Sequence, residues 1–193
     1  MNKIILSVCV ALLSFNGYSQ KKKSSPQKAS TTISAFPKLD NLTTEVKNGN
    51  FQISISEKGK TNDILVVKAV DASFKPTDCK LSSFMANGVK LYLLTWTDLT
   101  KVVTGKKSED KTTVYTVIYE LTSKKQVFSN YQLTNHIIEQ VMLGNTAASE
   151  TQEKYRREGF EFKLNPDGSV TQKNKTQQNI MVYDATKMEF KKK

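Results

Sequence analysis

Apolar and polar side chains alternate with period two along most of this chain, the pattern of strands with one buried face. Phe160-Glu161-Phe162-Lys163-Leu164 alternates cleanly, Asn165-Pro166-Asp167-Gly168 follows, and 169–173 returns. Proline presets one turn dihedral and glycine accepts positive φ, so this segment predicts a hairpin. Asn48-Gly49, set between 42–47 and 50–56, is a two-residue hairpin signal. The β-branched run 64–70 reads as a buried strand. Residues 89–97 and 112–121 are rich in Val, Leu, Ile, Tyr and Thr. The polar tip 105–110 joins them, and their pairing can extend through Val102 and Val103. Ser123-Lys124-Lys125 turns the chain into 126–133, and 180–183 and 188–190 close the series.

Two stretches carry mixed signals. Residues 78–88 fit a helical turn capped by Asp78, or a strand turning at Asn87-Gly88. In 136–143, Ile137, Ile138, Val141 and Met142 have helix-like spacing, but their β-branched content favours a strand. One short helix is predicted over 149–158. Ser149 to Gln152 fits a capping box, Glu150–Lys154 and Glu153–Arg157 are favourable i,i+4 pairs, and Gly159 suits a left-handed end. The fold class is therefore all-β with that single helix, in one domain at 39–190. Successive hairpins imply antiparallel pairing, as a sandwich, a curved sheet or a barrel. The hairpin from Phe162 to Thr171 resembles one found in lipocalin-like domains. The Gly-x-Trp opening of that family is absent, so nothing about function is carried across.

Ahead of the domain the pattern changes. Residues 1–19 read as a secretory signal peptide: Lys3, a mainly apolar run over 4–15, then Gly17-Tyr18-Ser19 before Gln20. The run is too short to cross a bilayer, which takes about 20 apolar residues. This leader resembles those of exported bacterial proteins that leave glutamine at the mature start. Cys9 sits inside the apolar run behind Val8, where a lipid-attachment cysteine would follow a small residue. The expectation is an exported protein, periplasmic or secreted, that is not transmembrane. Residues 20–38 hold Lys21, Lys22, Lys23, Lys28 and Lys38 with no acid and few apolar side chains, which reads as a flexible basic arm.

Charge adds one point. The formal net charge is +11, from 29 basic and 18 acidic residues, yet 39–190 accounts for only +2. The surplus sits in the arm, in a basic C-terminal tail at 191–193 and, for one charge, in Lys3. Lys21, Lys22, Lys23 and the C-terminal lysines could meet an anionic envelope surface at about 1 kcal/mol each, or serve as solubilising ends. No nucleic-acid partner is expected, because the body lacks a basic stripe. Oligomeric state is left open.

Catalytic chemistry has little support. The chain has one histidine, His136, and Cys79 is the only cysteine beyond the leader. Ligand spacing for a metal is missing, and no cofactor is expected. Cys79 and His136 occur in the order of a thiol hydrolase, with Asp167 or Asp184 able to orient the imidazole, but nothing local joins them. A lone Cys79 reads as a small buried hydrophobe. The aromatic residues are the stronger clue. Tyr92 and Trp96 share one strand face, and Tyr115 and Tyr119 share one face of the next. Together they make either a ligand platform or a sheet core with hydroxyls at its rim. The expected function is an exported, non-enzymatic binding module for a ligand or envelope component. The alternatives are a structural or assembly protein engaging a partner chain and, behind that, a hydrolase.

Overall fold

Antiparallel strands joined mostly by hairpins fill residues 36–144 and 148–193, which the computed structural model describes. The segment read as a signal peptide, with Cys9, Lys21, Lys22, Lys23 and most of the segment read as a basic arm, lies outside the described residues. The first sheet holds β1 (Lys38–Leu39), β2 (Leu42–Lys47), β3 (Asn50–Glu57) and β4 (Lys60–Ala69) in chain order. The central sheet holds β5 (Thr77–Ala86), β6 (Val89–Thr104), β7 (Lys107–Glu120), β8 (Lys125–Met142) and β9 (Ser149–Gly159). The third holds β10 (Glu161–Leu164), β11 (Val170–Lys173), β12 (Gln178–Asp184) and β13 (Glu189–Lys192). None of the three closes on itself, so the barrel alternative is removed.

Turn chemistry explains the meander. Asn48-Gly49, Lys58-Gly59 and Asn87-Gly88 all carry positive φ at both positions, the geometry that matches strand twist in two-residue hairpins. The last of these settles 78–88 as strand plus turn. The Asn165-Pro166-Asp167-Gly168 turn forms as expected, with Gly168 N–H donating to Asn165 O at 3.0 Å and Asp167 accepting from Ser169 N–H at 3.0 Å.

Alternation places two cores on opposite faces of the central sheet. On one face Tyr92, Leu94, Trp96, Val117 and Tyr119 meet Leu42, Phe51, Ile53 and Leu65 of the first sheet. On the other, Leu91, Ile118, Val127 and Phe128 meet Val170, Tyr183 and Phe190 of the third. Polar ties join the central and third sheets. The buried Asn130 amide donates to Phe160 O at 2.9 Å and accepts from Gln172 at 2.9 Å, and Asn87 donates to Tyr183 O. In β4 only one face is covered: Leu65 is buried while Ile64 and Val66 are exposed, so 64–70 is not the wholly buried strand its composition suggests.

The predicted helix at 149–158 is absent. Those residues form β9, paired with β8 from Met142↔Ser149 to Gln132↔Gly159. Local helix signals contribute roughly 0.2–0.5 kcal/mol per ion pair and about 1 kcal/mol for a cap. A helix would bond only its own backbone, whereas β9 also pairs the outer N–H and C=O groups of β8 along its length, a gain that outweighs those local signals. Gly159 has φ +77, which serves the passage from β9 to β10 instead of ending a helix. The segments 126–133 and 136–143 merge into the single strand β8, and Lys191 and Lys192 belong to β13, where Lys191 pairs with Asp184 at 2.8 Å.

Beyond the covered area, β6 to β9 continue as a bare four-stranded ribbon. One of its faces is closed by charge. Glu109 accepts from Lys107 at 2.5 Å, Lys111 at 2.9 Å and Asn135 at 3.4 Å, and Ile137 is only 2% exposed. These donors, Lys107 first, hold the Glu109 carboxyl at about 2, against an ordinary 4.5. A depressed acid stabilises the fold above its unfolded pKa, and that contribution fades as pH falls toward the folded value. The melting-temperature gap between wild type and Glu109→Gln should therefore narrow as pH is lowered from about 5 to about 2, read by thermal denaturation across that range.

Candidate functional site

The four aromatic candidates share one face, as their spacing implies. Tyr92 pairs with Tyr119 and Trp96 with Tyr115 across β6 and β7. The first sheet lies over that face, so Tyr92, Trp96 and Tyr119 are buried and only Tyr115 reaches the margin. Phe51 meets Trp96 edge-on at 5.2 Å, and Trp96 stacks on Tyr115 at 4.9 Å. The Tyr119 hydroxyl donates to Gln126 at 3.1 Å, and burial pushes its pKa up to about 12. Three of the four thus form core, and the buried Trp96 indole N–H has no hydrogen-bond partner in the protein.

An open cleft of about 760 Å³ begins where this stack ends. It exists because β5 follows β6 only as far as Thr77↔Thr97. Ahead of Thr77 the chain descends from the first sheet through 70–76, and Pro76 removes a donor immediately before the strand. Asp71 folds this passage, accepting from Ser73 N–H at 2.8 Å, while Phe74 N–H donates to Asp71 O at 3.2 Å. The Asp71 carboxyl is lowered mainly by the Ser73 hydroxyl.

Two segments, 68–75 and 98–101, line the cleft. Lys68 at the end of β4 pairs with Asp98 of β6 at 3.4 Å, with its ammonium 4.5 Å from the Phe74 ring and 5.4 Å from the Tyr115 ring. Cation–ring contacts of this kind contribute about 0.5–1 kcal/mol at exposed sites. Lys75, Thr100 and Lys101 complete the charged and polar wall, with Leu99 beside them. The arrangement offers ring faces, fixed charges of both signs and a run of strand backbone, groups suited to recognition. Sequence reasoning missed Lys68, Phe74 and Asp98, because Lys68 meets Asp98 only through packing between two sheets. The local hints were Pro76 and an acidic residue inside a strand pattern.

Cys79 and His136 are not brought together. Cys79 lies on β5 in the core under the first sheet. His136 lies on β8, three strands across and on the opposite face, where it stacks on Tyr155 at 4.5 Å and bonds Glu153 at 2.7 Å. Burial, aided by Asp78, pushes the Cys79 thiol up to about 11. Folded protein at pH 8 should therefore react with a thiol reagent far more slowly than protein unfolded in urea; equal rates would show an accessible thiolate.

A broader recess of about 940 Å³ lies by β9 and the β11–β12 turn, lined by Tyr155, Arg157, Lys173 and Lys175. These side chains are exposed, and none of the three basic ones is held in an ion pair. No group of three or more His, Cys, Asp or Glu side chains able to hold a metal occurs among the described residues. No helix among them is long and apolar enough to cross a membrane. No family model matches the chain, and no curated protein or solved structure matches it.

Proposed function

We propose that the chain is an exported, non-enzymatic binding module for a ligand or cell-envelope component, and that it binds in the cleft at Lys68, Phe74 and Asp98. The observation that carries this reading is the cleft itself. Its volume, about 760 Å³, falls within the roughly 300–1,000 Å³ typical of binding sites, and its charges are fixed beside aromatic rings. Export rests on the leader at 1–19, and the basic arm would hold the domain near an anionic surface. A hydrolase built on Cys79 would need a thiolate next to an imidazole, which the separation of Cys79 from His136 disfavours.

The assembly alternative draws on a different feature. One face of the ribbon exposes Leu99, Val103, Ile138, Met142 and Tyr155, a run of large apolar side chains that suits contact with another chain. Site-directed photocrosslinking in the expressing host separates the two. With p-benzoylphenylalanine in place of Thr100, the cleft reading predicts one discrete adduct that Lys68→Glu weakens. Labels at Ile138 or Met142 that crosslink while Thr100 yields nothing would transfer the function to the ribbon face.

A further inference from the structure

We propose that the open edge of β6 over residues 98–104, inside and beyond this cleft, receives an extended peptide strand of neutral to acidic composition from another protein. The proposal rests on the cleft reading above and names its ligand class. β6 runs to Thr104, whereas its outer neighbour β5 pairs with it no further than Thr97. Its inner edge pairs with β7 without a register shift down to Thr104↔Lys107, so this stretch is regular strand with one side unfilled. Alternate N–H and C=O groups there point outward, a template for an added strand.

Two other long edges, those of β9 and β4, are blunted and this one is not. In β9, six of eleven residues are charged. β4 is bulged opposite Phe51/Gln52 and Ile55/Ser56 of β3, and its Ile64 N–H already donates to the Asp63 carboxylate at 2.9 Å. Between 98 and 104 only Asp98 and Lys101 carry charge, and both are paired within the protein, Lys101 with Asp110 at 3.1 Å. Leu99 and Val103 stand 55% and 66% exposed on one face, ready to pack against alternate side chains of a guest.

The passage at 70–75 walls the edge and selects the occupant. Of the three lysines lining the cleft, Lys68 and Lys101 are paired with Asp98 and Asp110 and Lys75 is in no ion pair, while Asp71 is committed to its own turn. A second copy pairing antiparallel along the same edge would bring its tip lysines, Lys106 and Lys107, toward those three. Like charge argues against self-pairing and for an acidic or neutral strand. Main-chain bonds would supply affinity, and the Phe74 and Leu99 walls would supply side-chain preference.

The first probe is a synthetic peptide copying 107–114, the one sequence the structure shows pairing with this part of β6. Its binding to the full chain is followed by fluorescence anisotropy, alongside two versions N-methylated at alternate amides. Strand addition predicts saturable binding, weakened at least tenfold by one methylation pattern and little by the other, since only one pattern removes the amides that face β6. Absence of binding, or equal loss from both patterns, overturns the proposal. The Thr100 photoadduct separates the two levels. A lipid or glycan adduct overturns strand addition while the cleft reading stands, and no adduct removes both. Concentration-dependent dimerisation abolished by Val102→Lys would also overturn it, by assigning the edge to self-assembly.

Discussion

Gly168→Ala should destabilise the protein by about 3 kcal/mol or more, among the largest effects of any single methyl addition to this fold. Gly168 has φ +78, and a Cβ there would strike the Met85 carbonyl oxygen and come within 2.8 Å of Ala86 Cα. The turn before β11 is pressed onto the end of β5, so relief would require lifting the third sheet from the central one. Gly88 provides the control: it has the same φ of +78 with nothing within 4 Å of an added Cβ. Gly88→Ala should cost only the left-handed backbone penalty, about 1–2 kcal/mol. Urea unfolding of the two variants reads the difference, and equal losses would mean that the turn does not bear on β5.

Phe51→Ala should cost about 3–5 kcal/mol, the range for deleting a fully buried aromatic side chain. Phe51 is 0% exposed and touches three rings: Phe36 at 6.0 Å, Phe74 at 5.4 Å and Trp96 at 5.2 Å. Its removal would take away both the joint between the first two sheets and the support behind Phe74, the aromatic wall of the cleft. Chemical denaturation with tryptophan fluorescence suits this variant, since Trp96 is the only tryptophan and sits against the deleted ring. Ile180→Ala, at a side chain 41% exposed, should cost less than about 1 kcal/mol. A loss at Phe51 no larger than that would show that the two sheets are not packed through it.

How much of this could be read from residues alone depends on the range of the forces involved. Asn48-Gly49 and Asn165-Pro166-Asp167-Gly168 specify their hairpins through backbone dihedrals, which act over four residues, and the structure forms both where the sequence implies them. The facing of Tyr92, Trp96, Tyr115 and Tyr119 was legible too, because alternation fixes a side chain's face once the strand is recognised. Which sheet covers that face depends on contacts between residues such as Phe51 and Trp96, far apart in sequence, and no local pattern announces them. The segment 149–158 shows the same limit from the other side. Its capping and ion-pair signals are real but small, and the open edge of β8 exerts a larger pull that appears only once β8 is in place. The cleft is harder still, since it arises from a mismatch in length between β5 and β6 and from a passage that brings Lys68, Phe74 and Asp98 together.

Hydrogen exchange of the backbone amides, resolved by NMR residue by residue along β6 in the free protein, bears most directly on whether a strand edge stands vacant beside the cleft. Residues paired with both β5 and β7 should exchange slowly throughout. From Asp98 to Thr104 the amides should alternate, those bonded to β7 slow and those facing outward close to the rate of an unstructured chain. Uniformly slow exchange from Asp98 to Thr104 would mean that the edge is already covered, and would contradict the account.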